Sequence, residues 1–261
     1  MPSETRRILG RAAVLALFIA ACGAVAPVLA AEAEAPAPGP VTSTWFFWPK
    51  AGAEPAFEQG LRAHAAWRKA AGEGWTWEIY QPAVGPDLGY YVVRSGGHPW
   101  SDLDANEAWN NSSRSFEKYM EHMGANVERV EHYLGLSDPK HSKWEEGDYE
   151  YFGVSSLVLR PGAYGEMLEA LDKVHKVTVE KKWPRSYAIE WTIGGDGAML
   201  LIVPYRSWAE MAEPEPALIQ VLAEALGSME AAAATMKQLG ASFGSESYTI
   251  YRRRPDLSTP K

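Results

Sequence analysis

The sequence has one cysteine in 261 residues, Cys22, and it precedes everything that reads as folded. A lone thiol at that place leaves the rest of the chain without a disulfide, a thiolate metal site or a cysteine nucleophile. Long apolar runs are missing as well. Beyond the first thirty residues no window approaches the roughly 20 apolar residues of a membrane-spanning helix. Positive charge is scarce, with 25 Lys and Arg against 33 Asp and Glu, so the electrostatic footprint of a nucleic-acid binder is absent. Three motifs are also lacking: a phosphate-cradling glycine loop, a Gly-x-Ser-x-Gly elbow and a His-Glu-x-x-His zinc helix. These absences leave small-molecule binding, catalysis without a thiol, and structural roles.

The first thirty residues read as an export signal. Arg6, Arg7 and Arg11 form a positive n-region, residues 12–21 an apolar h-region, and Val28-Leu29-Ala30 a small-residue cleavage site. Ile19-Ala20-Ala21-Cys22-Gly23 offers a competing reading, a lipobox in which Cys22 is lipidated, but the apolar run continues past it and favours cleavage after Ala30. Both readings place the protein beyond the inner membrane, periplasmic or secreted, with lipid anchoring through Cys22 as the alternative. Losing residues 1–30 removes three Arg and one Glu, which leaves 22 basic and 32 acidic residues and a formal charge of −10. Residues 31–40, built from Ala, Glu, Pro and Gly, read as a flexible leader.

From residue 41 the chain reads as one unit written twice. Phe57, Glu58 and His64 stand 111 residues before Leu168, Glu169 and His175. Trp75, Trp77, Glu78 and Ile79 match Tyr187, Ile189, Glu190 and Trp191 at a spacing of 112, and Gly89 and Trp100 match Gly197 and Trp208 at 108. Such drift through loop slips is what a diverged duplication shows. Period-2 alternation predicts strands over 41–48, 75–81 and 89–94, then 154–160, 187–193 and 198–204, the last two joined by the Gly194-Gly195-Asp196-Gly197 turn. Helical periodicity predicts helices over 54–71 and 164–182, over 106–134 with a break near Gly124, and over 215–239. Residues 143–149 are expected as a short fourth strand and 247–252 as the last one. The fold class is therefore α+β: two tandem ferredoxin-like βαββαβ repeats, 41–149 and 150–261, packed sheet-to-sheet.

With that element order and repeat, residues 41–252 resemble the dimeric α/β-barrel superfamily in a fused, single-chain, pseudo-dimeric form. That group includes antibiotic-biosynthesis-type monooxygenases, haem-degrading monooxygenases, NIPSNAP-like proteins, chlorite dismutases and dye-decolourising peroxidases. The resemblance implies a ligand site between the two sheets. The Gly-x-x-Asp-Gly signature of the peroxidases is missed, because Ile193 stands where its first Gly belongs.

In residues 75–80, Trp75, Trp77 and Ile79 point to one face and Thr76, Glu78 and Tyr80 to the other. Glu78 and Glu190 share the matched position, so if that face is the interior the two carboxylates meet there. Desolvation and mutual repulsion would then favour a shared proton and make them candidate catalytic groups; the plainer reading is a solvated or salt-bridged pair. Eleven Trp among thirty aromatic residues suit an aromatic-lined cavity, with Trp45, Trp77, Tyr80 and Trp191 as candidate ligand contacts. His64 and His175 lie on the inner stripe of their helices and are core residues first, metal ligands second. Arg252-Arg253-Arg254 reads as a solvated strand end. No cofactor is expected, with haem as the lesser alternative.

The sequence thus points to an exported protein that holds a small apolar or aromatic molecule between its repeats. A cofactor-independent or haem-linked monooxygenase-like enzyme and a filled, structural barrel are the alternatives. The expected partners are a small ligand and at most a second copy, as monomer or homodimer, with no nucleic acid and no membrane span.

Overall fold

A computed structural model describes residues 39–259. The export signal, Cys22 and all but the last two residues of the leader lie outside the described residues. Within them the elements run β1 (Val41–Pro49), α1 (Glu54–Ala70), β2 (Glu78–Val84), β3 (Tyr91–His98), α2 (Trp100–Ser113), α3 (Ser115–His122) and β4 (Val127–Ser137). They continue with β5 (Tyr151–Leu159), α4 (Tyr164–Glu180), β6 (Ala188–Ile193), β7 (Met199–Tyr205), α5 (Leu218–Leu226), α6 (Met229–Ala241) and β8 (Phe243–Arg253).

All eight strands form one closed antiparallel barrel in the order β1-β3-β2-β8-β5-β7-β6-β4. The two four-stranded sheets do not merely stack. They zip together at both edges, through β2 with β8 and β4 with β6, and closure removes the unpaired edges that stacking would leave. Each half has the same internal order, β4-β1-β3-β2 and β8-β5-β7-β6. Equivalent elements start 110 residues apart: β1 and β5 at 41 and 151, α1 and α4 at 54 and 164, β2 and β6 at 78 and 188.

Alternation along each strand sorts residues into an outer face under the helices and an inner face on the barrel axis. The outer faces carry the cores. In the first half Phe47, Ile79, Tyr91 and Val93 pack on Phe57 and Leu61 of α1. In the second Leu157, Ile189 and Met199 pack on Met167 and Leu171 of α4. A third cluster joins Val177 of α4 to Val221 and Leu222 of α5 and Ala232 of α6.

Three expectations need correction. The helix expected over 106–134 stops at His122, and residues 127–137 are the strand β4. Val127, Val130 and Leu134 sit at helical spacing, yet residues alternate along β4: Val130 stands beside Phe47 of the outer core, while Glu131 and Tyr133 stand beside Phe46 and Thr44 of the cavity lining. The expected strand over 143–149 is instead a linker, which makes one isolated β-bridge, Lys143 with Tyr187, and is held further by the Asp148 ion pair with Arg253. The long final helix is also divided, because Gly227 adopts φ 89° and Ser228 caps a new helix by accepting from the Ala231 N–H.

The last residues return to the first half. Leu257 is fully buried in the cluster with Phe57, Trp77 and Ile79. The Arg254 and Thr259 N–H groups donate to the carbonyls of Ile79 and Trp77, and Ser258 and Thr259 hydroxyls accept from the Ile79 and Trp77 N–H groups. Among the described residues no helix is long and apolar enough to cross a membrane.

Candidate functional site

The barrel encloses a cavity of about 730 Å³, within the range that holds small organic ligands. Apolar side chains from β5 and β7, Val154, Val158, Leu200 and Ile202, form one wall, and Phe46 and Val92 face them. A charged group of Glu78, Tyr80, Arg94, Glu190 and Arg253 forms the other. Residues of the linker, among them Trp144 and Tyr149, line one rim, and Tyr133 with the Gly194-Gly195-Asp196 turn lines a further part of the wall.

Glu190 is nearly fully buried and ends in a two-point ion pair with Arg94. The guanidinium nitrogens donate to Oε1 at 3.1 Å and Oε2 at 2.6 Å. Burial disfavours the Arg94 charge, but the Glu190 carboxylate beside it more than compensates and holds its pKa above the ordinary value. In the β2–β3 ladder Arg94 stands directly opposite Glu78. It nevertheless turns the other way, across β1 and β4, to reach β6. Gly135 of β4 makes that reach possible: a Cβ there would lie 2.2 Å from Glu190 Oε1 and 2.5 Å from Thr42 Oγ1. Gly135→Ala is therefore expected to displace the carboxylate and cost about 2–3 kcal/mol, read as a lowered midpoint in urea. An unchanged midpoint would mean that Glu190 has room to turn aside.

Glu78 is half exposed to the cavity. It accepts from the Tyr80 hydroxyl at 2.7 Å and faces Arg253 Nη2 at 3.5 Å. Burial and the neighbouring carboxylate push the Tyr80 hydroxyl well above its ordinary pKa, so it stays a proton donor to Glu78. Burial likewise raises Tyr251, whose hydroxyl meets that of Tyr90 at 2.7 Å.

The expected meeting of two matched carboxylates is not what the barrel contains. Tyr80 pairs with Arg253 in the ladder to β8, and Glu190 pairs with Ser137 in the corresponding ladder to β4. By strand position, then, Glu190 corresponds to Tyr80, and Glu78 corresponds to Ala188. The spacing of 112 read from the sequence is two residues long, which preserves the face and shifts the place. Each carboxylate has its own cation instead of sharing a proton.

Of the four aromatic residues expected at the cavity, Tyr80 lines it. Trp45, Trp77 and Trp191 stand on the outer face. Trp45 stacks on His132 at 3.9 Å, Trp77 donates its indole N–H to Glu73, and Trp191 packs near Tyr164 and donates to Asp138. His64 and His175 are also on the helix side. His64 is buried beside Trp67 with its Nδ1 3.4 Å from that of His122, whereas His175 Nδ1 meets the Tyr187 hydroxyl at 2.9 Å. Burial first, then Arg68 and His122, push the His64 pKa down to about 3. At the α1–α4 spacing of 110, Val174 rather than His175 corresponds to His64.

Sequence reasoning missed Arg94 and Arg253. Arg94 continues the inward parity of Tyr90 and Val92, a usable signal. The run Arg252-Arg253-Arg254 is not a uniform solvated end: Arg252 pairs with Glu150 outside, Arg253 enters the cavity wall, and Arg254 joins Glu58 and Asp256.

The cavity lining does not fit a haem. Haem iron takes a His, Cys, Met or Tyr ligand, and no His, Cys or Met is among the residues that line the cavity. Its tyrosines are engaged, Tyr80 with Glu78, Tyr133 with Glu131, Tyr149 with the Glu145 carbonyl and Tyr251 with Tyr90. Among the described residues no group of three or more His, Cys, Asp and Glu is placed to hold a metal ion.

No family model and no curated protein matches the sequence. Solved structures do match the fold. A candidate monooxygenase from Fusobacterium nucleatum subsp. nucleatum aligns over 83% of this chain and 93% of its own, with a TM-score of 0.53 and 8% identity. A mutant chlorite dismutase from Candidatus Nitrospira defluvii, in complex with cyanide, aligns over 83% and 92%, with a TM-score of 0.50 and 9% identity. The chain has the dimeric α/β-barrel fold. At such identities the likeness concerns architecture alone, and it carries no reaction from one dimeric α/β barrel to another. The interior of this barrel has an apolar wall and a charged one in which Arg94 and Arg253 stand against Glu78 and Glu190, and Glu146 and Asp196 also line it.

Proposed function

We propose that this protein binds one small organic molecule inside the barrel, with an apolar, planar body against β5 and β7 and a polar or anionic head toward Arg94 and Arg253. The observation that carries this reading is the cavity of about 730 Å³ with one apolar and one charged wall. The filled-barrel alternative has no such space to offer. The export signal read at residues 1–30 supports action outside the inner membrane. The shared strand order and the 110-residue spacing support a reading of the halves 41–149 and 150–261 as tandem ferredoxin-like repeats in a pseudo-dimer.

Anilinonaphthalene sulfonate, an aromatic anion, serves as a probe of stated chemistry. The purified protein is expected to bind it saturably, one to one, and Val154→Trp, which fills the apolar wall, to weaken it about tenfold or more, the worth of about 1.4 kcal/mol. Binding that is unchanged in Val154→Trp would overturn the proposal.

A second reading, a monooxygenase-like enzyme without a bound cofactor, is favoured by one feature. Glu78 presents an accessible carboxylate to the cavity, already holding one donor, Tyr80, and able to accept another. Under this reading Glu78→Gln should abolish turnover while shifting Tm by no more than about 2 °C, as expected for a half-exposed side chain. A large loss of stability with turnover intact would remove Glu78 from the chemistry.

A further inference from the structure

The charged wall of the cavity stands at one end of the barrel, where Glu78 opens β2 and Arg253 closes β8. The linker between β4 and β5 runs past the same end, since β5 begins with Tyr151 opposite Arg252. Trp144, Glu146 and Gly147 of that linker line the cavity and are also exposed. This stretch of chain is therefore a single layer between the interior and solvent. Outside it lies a second hollow of about 310 Å³, lined by Asp148, Glu150, Arg206, Arg252 and Pro255. Tyr149 and Arg253 line both spaces and so form the partition between them.

The linker is fastened at its ends and not between them. Lys143 exchanges two backbone hydrogen bonds with Tyr187 at one end. At the other the Glu150 N–H donates to the Tyr205 carbonyl, and the Glu150 carbonyl accepts from the Arg253 N–H. Among the described residues no backbone group of residues 144–149 bonds to a strand or helix. The Tyr149 hydroxyl donates to the Glu145 carbonyl at 2.8 Å, within the linker itself. A segment with so few backbone bonds opens at low free energy.

Side chains hold it shut. The buried Tyr149 ring lies against Gly147, where a Cβ would stand 2.9 Å from its Cζ. Trp144 meets the ring edge-on at 5.7 Å, and the Arg206 guanidinium lies 5.0 Å from its centre. Arg253 supplies the latch: Nη1 donates to Asp148 Oδ1 at 2.9 Å, while Nη2 faces Glu78 Oε1 inside at 3.5 Å. The Asp148 side chain is 98% exposed, and an ion pair with one partner in open solvent is weak. When Asp148 leaves, Arg253 keeps the inner carboxylate, so opening strands no buried charge.

The geometry points to residues 144–149 as a strap over this end of the barrel, with Tyr149 and Arg253 as the gate between the outer hollow and the cavity. What passes the gate is the ligand of the proposed function, and to that extent the inference rests on that reading. The opening of the strap does not.

Ser156 of β5 lines the cavity, and Cys22 is the one native cysteine. In the full chain carrying Cys22→Ser and Ser156→Cys, the rate at which methyl methanethiosulfonate modifies the new thiol reads entry into the barrel with no ligand involved. Asp148→Ala removes the latch and no residue that lines the cavity. It is expected to raise that rate about twofold to fivefold, the range that an exposed ion pair supports. Stopped-flow mixing with anilinonaphthalene sulfonate reads the same gate. Association and dissociation should both rise by that factor in Asp148→Ala, with Kd held within about twofold. Loss of a negative charge alone would speed association of this anion and leave dissociation and thiol labelling unaltered. That result, or no change in any of the three rates, would overturn the inference and make the linker a fixed wall. Faster labelling in Asp148→Ala, in a protein that fails to bind the probe, would sustain the strap and remove the ligand instead.

Discussion

Arg94→Met is expected to be among the most damaging single substitutions in the barrel interior, costing about 3–5 kcal/mol, because it strands the buried Glu190 carboxylate without its partner. Glu190 is 4% exposed and has no second cation placed to replace Arg94 among its hydrogen bonds. For a chain of this size that loss corresponds to a fall in Tm of about 6–20 °C. Glu190→Gln should cost less. The Arg94 side chain keeps 27% of its exposure and has Glu78 directly across the β2–β3 ladder as a substitute. The double variant Arg94→Met/Glu190→Met is expected to recover to within about 1 kcal/mol of the parent, since an apolar pair of like volume replaces a buried ion pair at little cost. Equilibrium unfolding in guanidinium reads all four states. Arg94→Met within about 1 kcal/mol of the parent would show that the pair is solvated and contributes as surface pairs do.

Leu257→Ala should cost about 2–5 kcal/mol, the range for a fully buried leucine cut back to a methyl group. Truncation after Arg253 should cost more, because it also removes four backbone hydrogen bonds at Trp77 and Ile79. The effect falls on the first half although the residue belongs to the last segment of the chain. Ion pairs hold the same segment: Arg254 reaches Glu58 and Asp256, and Arg62 reaches both carboxylates. The Arg254 hydrogen bond holds Asp256 well below the usual carboxylate range and lowers Glu58 as well. Their contribution is present at neutral pH and is lost as acid takes the pH down through these lowered values. Acid should therefore loosen the tail, and Arg254→Gln should flatten the acid side of the stability profile. Loss of hydrogen-exchange protection at Trp77 and Ile79 on acidification is the local readout, and protection there that is independent of pH would contradict it.

Much of this fold was legible in the sequence, and the limits of that reading have physical causes. Seven of the eight strands and the α+β class followed from alternation and turn chemistry. Which face of each strand looks inward did not, because both faces are buried, one under helices and one around a cavity. Trp77 and Tyr80 lie three residues apart, at positions of opposite parity, so only one of them could reach the cavity. Charged residues such as Glu78, Arg94 and Glu190 marked the inner face, and Trp45, Trp77 and Trp191 marked the outer one. β4 was hidden because its apolar residues at 127, 130 and 134 fit a helix as well as a strand. The spacing of 112 that paired Glu78 with Glu190 matched residue types across a two-residue slip, which a strand tolerates without changing face. Arg94 and Glu190 were not legible as a pair, because their contact crosses two intervening strands and depends on the missing side chain of Gly135.

A barrel assembled from two identical chains presents each inward group twice, related by a two-fold axis, and a ligand inside it can enter either way round. Here Arg94 corresponds to Ile202, Glu78 to Ala188, and Glu190 to Tyr80. The interior thus has a head and a tail. Under the proposed ligand-binding role an occupant would be held in one orientation, and a molecule with a stereocentre would meet an unequal environment for its two hands. One chain that supplies both halves presents different side chains at corresponding inward places, which a barrel of two identical chains has no way to do.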